Sequence, residues 1–164
     1  MTSKQPQVGP VDVRKEQDRN MDSDDQVNQL IEKSLRTARS VIEAGGTWGY
    51  LAHIVHPGGV HSLTAKCLDS DPGERARVKD TINRLMEFLK GDLLITISDA
   101  WISENTSDGG VDVSFESPFP GRRKALAVVV WGCGQRLTSG LQEYMRLPDG
   151  QILFGELLWA DQLR

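Results

Sequence analysis

WGYLAHIVHPGGVHSLTAKCL, residues 48–68, decides the fold. Two runs in it, Gly49–His56 and Val60–Leu68, carry aromatic and β-branched residues on either side of Pro57-Gly58-Gly59. That composition around a proline-glycine turn predicts a β-hairpin rather than a helix. On such a ribbon successive side chains point to opposite faces, so His53 and His56, three apart, separate. His61 completes a cluster of all three histidines of the chain within nine residues. With a two-residue turn at Gly58-Gly59, His56 sits opposite His61 and the two share a face. With a three-residue loop from Pro57 to Gly59, His56 pairs with Val60 and they part.

Outward from the hairpin, the chain reads as helices and further strands. Upstream, Val27, Leu30, Ile31, Leu35, Ala38, Val41 and Ile42 recur at steps of three and four. They form one apolar stripe, started by the capping pair Ser23 and Gln26 and stopped by Gly45-Gly46. Downstream, Asp71, Pro72 and Glu74 give an N-cap, a first-turn proline and an acidic partner for a second helix. Val78, Ile82, Leu85, Met86 and Leu89 are its stripe, and Gly91 ends it. LLITISDAWIS, residues 93–103, is too short and too β-branched for a third helix and reads as a buried strand. KALAVVVWG follows as another, and Pro148-Asp149-Gly150 joins strands at Leu137–Leu147 and Gln151–Leu158.

The order α-β-β-α-β-β-β-β does not alternate helix with strand, which disfavours a doubly wound parallel sheet. It predicts the α+β class: two amphipathic helices on one face of a mainly antiparallel sheet of about five to six strands. Residues 1–22 show no apolar period and read as a disordered N-terminal tail. Residues 23–164 form one domain, interrupted at 104–121 by a long irregular insertion. Connections beyond about 12–15 residues are uncommon in compact domains unless they carry function.

Composition narrows the function classes. With 38% hydrophobic residues and a net charge of −4, the chain reads as an ordinary globular protein. General nucleic-acid binding needs a surplus of Lys and Arg, which is missing. No stretch reaches the ~20 apolar residues of a membrane span, and the N-terminus lacks a signal-peptide core, so a cytoplasmic location is expected. Cys67 and Cys133 form no CxxC pair and read as neither a disulfide framework nor a zinc site. Cys133, between Gly132 and Gly134, reads as an ordinary turn thiol, since no base can be placed beside it.

Two groups of residues remain as candidate sites. The insertion holds Glu104, Asp108, Asp112 and Glu116 with Phe115 and Phe119, and the basic triplet Arg122, Arg123 and Lys124 follows it. Phe115, Phe119, Glu116, Arg122 and Arg123 are the candidate contacts to a protein partner. The alternative is a metal-assisted hydrolase in which His56 and His61, with the carboxylate of Asp99, hold a divalent ion. Asp99, beside Trp101, also suits a general acid or base, or a residue that merely caps its strand.

The strand Ser98-Asp99-Ala100-Trp101 and the strand entered through Arg123-Lys124-Ala125-Leu126 resemble those of a group of small bacterial proteins. Those proteins pair a serine-acid-alanine-tryptophan strand with an arginine-x-alanine-leucine strand. The likeness spans roughly residues 23–158 and implies an α+β fold, with no activity attached. No complete catalytic constellation is legible, so the sequence points to a non-enzymatic binding or regulatory module without a cofactor. Such a module contacts a protein partner, or itself, through the insertion or a sheet edge.

Overall fold

The computed structural model describes residues 13–66, 72–104, 111–114, 123–132 and 134–161. Its elements are α1 (Val13–Glu43), β1 (Tyr50–His56), β2 (Gly59–Ala65), α2 (Pro72–Leu89), β3 (Leu93–Glu104), β4 (Val111–Ser114), β5 (Arg123–Gly132), β6 (Gln135–Arg146) and β7 (Ile152–Trp159). By internal contacts the chain divides into two units, Met1–Lys33 and Ser34–Arg164. The first contains the N-terminal part of α1. The second contains the rest of α1, α2 and the sheet.

α1 begins at Val13, ten residues before the capping pair at Ser23, and so takes in positions that the sequence reading assigns to the tail. The reason is propensity rather than pattern. No glycine or proline stands between residues 11 and 44, and Arg14, Lys15, Glu16 and Gln17 are good helix formers without an apolar stripe to advertise them.

The sheet is antiparallel and runs β2-β1-β3-β5-β6-β7, with β4 paired to β3 as a seventh strand. The α+β class therefore holds, while the order gains β4, inside the stretch read as irregular. Trp101 pairs with Ser114 of β4 on one side and Lys124 of β5 on the other. β4 thus continues the row of β1 along the far end of β3. Four residues paired to a long inner strand need little apolar pattern of their own, which is why this one left no trace in the sequence.

Within the second unit, α2 and residues 34–43 of α1 lie on opposite faces of the sheet, not on one. On β1, His53 pairs with Ile95 and with Ser62, and its ring bonds to Ser34 of α1. His53, Ile95, Ile97, Asp99, Leu126 and Val128 therefore share the face that α1 covers. Leu35, Ala38 and Ile42 are buried on the helix side. Each fully buried Leu or Ile there contributes about 1.5–3 kcal/mol. Ala52, Ile54, Thr96, Ser98, Ala100 and Ala127 fill the other face, with α2 at its β1 end. There Met86 and Ile54 close so tightly on Gly91 that a Cβ would lie 2.7 Å and 2.9 Å from them. One apolar stripe per helix cannot say which face it will choose, because both faces of β1 and β3 are apolar.

The turns decide the registers. Pro57-Gly58 closes the first hairpin as a two-residue turn, pairing His56 with Gly59. This is neither register expected from the sequence, and it puts His61 opposite Ile54. Gly59 takes φ 134°, a conformation closed to most side chains, so the glycine moves from the turn into the strand. Pro148-Asp149-Gly150 forms the last hairpin as its sequence predicts. Gly150 adopts φ 89°, and Asp149 Oδ1 accepts the Gln151 amide at 2.9 Å.

Tyr50 offers a check on this packing. Burial pushes its phenol up to about 12, against a smaller lowering by the hydrogen bond with Thr96. A raised phenol favours the neutral form in the folded state. The stability it contributes is full below the unfolded value of about 10 and is lost as pH rises toward about 12. In a Tyr144→Phe protein, ultraviolet absorbance should report a single tyrosine ionising near pH 12. Ionisation near 10 with the fold intact would contradict the burial.

Candidate functional site

The site is built on three neighbouring strands. Asp99 of β3 pairs with Leu126, while Trp101, two residues on, pairs with Lys124 of β5, and Lys124 pairs with Tyr144 of β6. Lys124 and Tyr144 thus stand side by side, one step along from Asp99 on the same face. Both reach back to it. Lys124 Nζ donates to Asp99 Oδ2 at 2.6 Å, and the Tyr144 hydroxyl donates to Oδ1 at 2.7 Å. The carboxylate is 4% exposed, a burial that an unpaired anion could not sustain. An ammonium at hydrogen-bonding distance on one oxygen and a hydroxyl on the other answer its charge.

Trp101 completes the group. The Lys124 ammonium lies 4.2 Å from the centre of its ring, a cation–π contact that orients the side chain as well as attracting it. The Trp101 indole N–H is buried with no acceptor among the described residues. Tyr144 is held from behind by Phe154 of β7, the rings 5.6 Å apart and tilted by 38°.

A cleft of ≈ 580 Å³ opens over this group. One wall is the end of α1 and the loop after it, Ile42 and Gly46–Trp48. The other is formed by Asp99, Trp101, Arg123, Lys124 and Glu143–Arg146. The loop is fixed at both ends. Gly46 sits so close to Val41 that a Cβ would meet the Val41 carbonyl at 3.0 Å, and the Trp48 indole donates to the Ile97 carbonyl at 3.3 Å. Arg123 is paired with Glu143 at 3.1 Å and Lys124 with Asp99, whereas Arg146 is exposed and has no ion pair among the described residues. The lining is therefore aromatic, with one more cation than anion.

The histidine-based constellation does not assemble. His56 and His61 share a face, since His61 is opposite Ile54 and His56 lies two residues beyond it. Asp99 stands on the other face, two strands away from β2. His53 shares the Asp99 face but is committed, its ring bonded to Ser34 Oγ at 2.8 Å and Ser62 Oγ at 2.6 Å. Among the described residues no three His, Cys, Asp or Glu side chains converge to hold a metal ion. Phe115, Glu116, Phe119, Arg122, Cys67 and Cys133 lie outside the described residues. Arg123 lies at the cleft, bonded to Glu143. No described helix is long and apolar enough to cross a membrane.

Comparison with known proteins returns no match to a family model, to a curated protein or to a solved structure.

The ion pair makes a direct stability prediction. Lys124→Met leaves the Asp99 carboxylate buried with only Tyr144 to answer it and should cost about 3 kcal/mol in urea denaturation. The double change Asp99→Leu with Lys124→Met should recover most of that loss, because no charge then remains buried. Equal losses in the single and double variants would mean that the pair carries no coupling.

Proposed function

We propose that this chain is a non-enzymatic binding module, and that the cleft over Asp99, Lys124 and Tyr144 is its recognition site. The ligand class is a small molecule with a flat unsaturated body and one anionic group, a carboxylate or a phosphate. The observation that carries this reading is the placement of the Lys124 ammonium between a buried carboxylate and the face of Trp101, at the foot of an open cleft. An ammonium has three N–H donors, and Asp99 takes one of them. Arg146 adds an exposed cation at the rim, and Trp48 and Trp101 supply flat apolar walls.

The volume suits such a ligand, since small-molecule sites run from about 300 to 1,000 Å³ and combine aromatic walls with a few placed polar groups. Rigid strands hold every polar member, which lowers the ordering cost of binding. A chemical role has less support, because both Asp99 oxygens already take donors, one from Lys124 and one from Tyr144. The metal-assisted hydrolase loses its support with the separation of Asp99 from His56 and His61. The acidic insertion with Phe115 and Phe119 remains a proposed protein contact of the same module.

The test compares benzoate with benzamide, which share a shape and differ in charge, by amide and indole NMR titration. Benzoate should shift the Trp48 and Trp101 indole signals and the amides of residues 46–48 and 143–146. Benzamide should bind roughly tenfold more weakly, the loss of one charge-assisted hydrogen bond. Arg146→Gln should weaken benzoate several-fold without changing stability. Equal affinity for the two probes, or shifts scattered over the surface, would overturn the proposal.

A further inference from the structure

We propose that the outer edge of β7, beyond which no described strand lies, pairs with the same edge of a second copy of this chain, joining two sheets into one about a two-fold axis normal to the sheet. The proposal stands apart from the cleft and rests on the sequence and geometry of one strand.

β7 reads Ile152-Leu153-Phe154-Gly155-Glu156-Leu157-Leu158-Trp159 and is the last strand of the sheet. Three apolar residues stand on each side of Gly155-Glu156. The ladder to β6 shifts there, with Gln142 opposite Leu157 and Tyr144 opposite Phe154, so β7 carries one extra residue at its middle. The irregularity restores symmetry to the strand. Ile152, Phe154, Leu157 and Trp159 face the α1 side, and Leu153 and Leu158 face the other.

The backbone follows the same symmetry. The Gln151 carbonyl accepts from Leu147, and the Ala160 amide donates to the Ser139 carbonyl. Residues 151 and 160 therefore turn their polar groups toward the sheet, and so by alternation do 153 and 158. Ile152, Phe154, Leu157 and Trp159 turn theirs outward. An axis between Gly155 and Glu156 pairs Ile152 with Trp159 and Phe154 with Leu157 of the second copy, and all of these carry outward groups. It also pairs Leu153 with Leu158, so every pair matches in face and in hydrogen-bonding direction. This is the isologous self-complementarity that a two-fold contact requires.

The other edge of the sheet contrasts with it. β2 carries His61, Ser62 and Thr64, is followed by Lys66, and suits solvent. β7 has no lysine and no proline, and Leu153 and Leu158 are 46% and 39% exposed on a strand edge. On the same face Met145, opposite Leu153, is also exposed. Pairing two copies sets Leu153 of each opposite Leu158 of the other, bringing four exposed leucines together on one face. Glu156 is the single charge on β7, and the axis brings its two copies close together, which weakens the contact. The paired edge is small beside the ~800 Å² per partner of a standard interface, so the dimer should dissociate on dilution.

Sedimentation equilibrium of the full chain, over a wide concentration range, tests this. The mass should rise from 18.2 kDa toward twice that value and stop there, since a two-fold contact closes. Leu158→Lys, on an exposed side chain, should abolish the rise while leaving the unfolding midpoint unchanged. Glu156→Gln should tighten the dimer several-fold by removing the repulsion. A single 18.2 kDa species at every concentration would overturn the proposal. So would an open-ended series of larger species, or a dimer indifferent to both substitutions.

Discussion

A carboxylate buried in the middle of a sheet must be answered by a neighbouring strand, and the answer ties those strands together. Asp99 is answered twice, by Lys124 from β5 and by Tyr144 from β6. Because side chains alternate along a strand, a slip of one residue in either ladder would turn its donor to the opposite face. The carboxylate would then be left buried and unpaired, at a cost of several kcal/mol. Apolar residues are tolerant in this respect, since Val128, Val129 and Val130 could exchange faces with little loss of burial. The polar group is thus what makes the register of β3, β5 and β6 unique. The same group, held in place for that reason, becomes the floor of the cleft.

How much of this was legible depends on whether the signal was local. The second helix, the hairpin at residues 50–65 and the turn at Pro148-Asp149-Gly150 are written in neighbouring residues, and each is found. The register of the first hairpin is not local, because both glycines of Pro57-Gly58-Gly59 can serve a turn. The observed pairing sets the exposed His61 on edge strand β2 opposite the buried Ile54 of β1, on the same face. Likewise each helix displays an apolar stripe, but nothing in a stripe names the sheet face that will receive it. The polar start of α1 and the short β4 fail for the opposite reason, since their apolar pattern is too weak to register.

The site follows the same division. Asp99 and Trp101 drew notice because a carboxylate inside an apolar strand is anomalous within a few residues of sequence. Their partners are 25 and 45 positions away, and only strand pairing brings them together. Lys124 was hidden in a basic triplet at a strand entrance, where a lysine is usually solvated. Its one distinguishing mark is position: in Arg123-Lys124-Ala125-Leu126 it shares the face of the buried Leu126, while Arg123 does not. Tyr144 had a similar mark, two residues from the buried Gln142 on β6. The histidines show the reverse error. Nine residues of sequence hold all three, yet the pleat sends His53 to one face and His56 and His61 to the other, so closeness in sequence is no guide to a shared ion.

The two faces of the sheet have unequal cover, and that inequality decides where a partner can approach. On the α1 side, the helix end and the Gly46–Trp48 loop stop short of the far ends of β3, β5 and β6, which leaves a walled cleft with a charged floor. On the other side α2 meets β1, and near the β7 edge Met145, Leu153 and Leu158 are exposed, with the Arg123–Glu143 pair on the same face. Gly140 sharpens the contrast, because its missing side chain lets Trp159 lie against β6 on the α1 face, where a Cβ would meet the indole at 3.0 Å. The large aromatics of the last two strands, Tyr144, Phe154 and Trp159, all turn to that face, which leaves leucine and methionine to line the other. A cleft with placed polar groups selects its ligand by geometry and charge. A strand edge flanked by leucines would select instead by strand direction and register. The proposed ligand site and the proposed strand-edge contact thus differ in kind while drawing on the same last strands of the sheet.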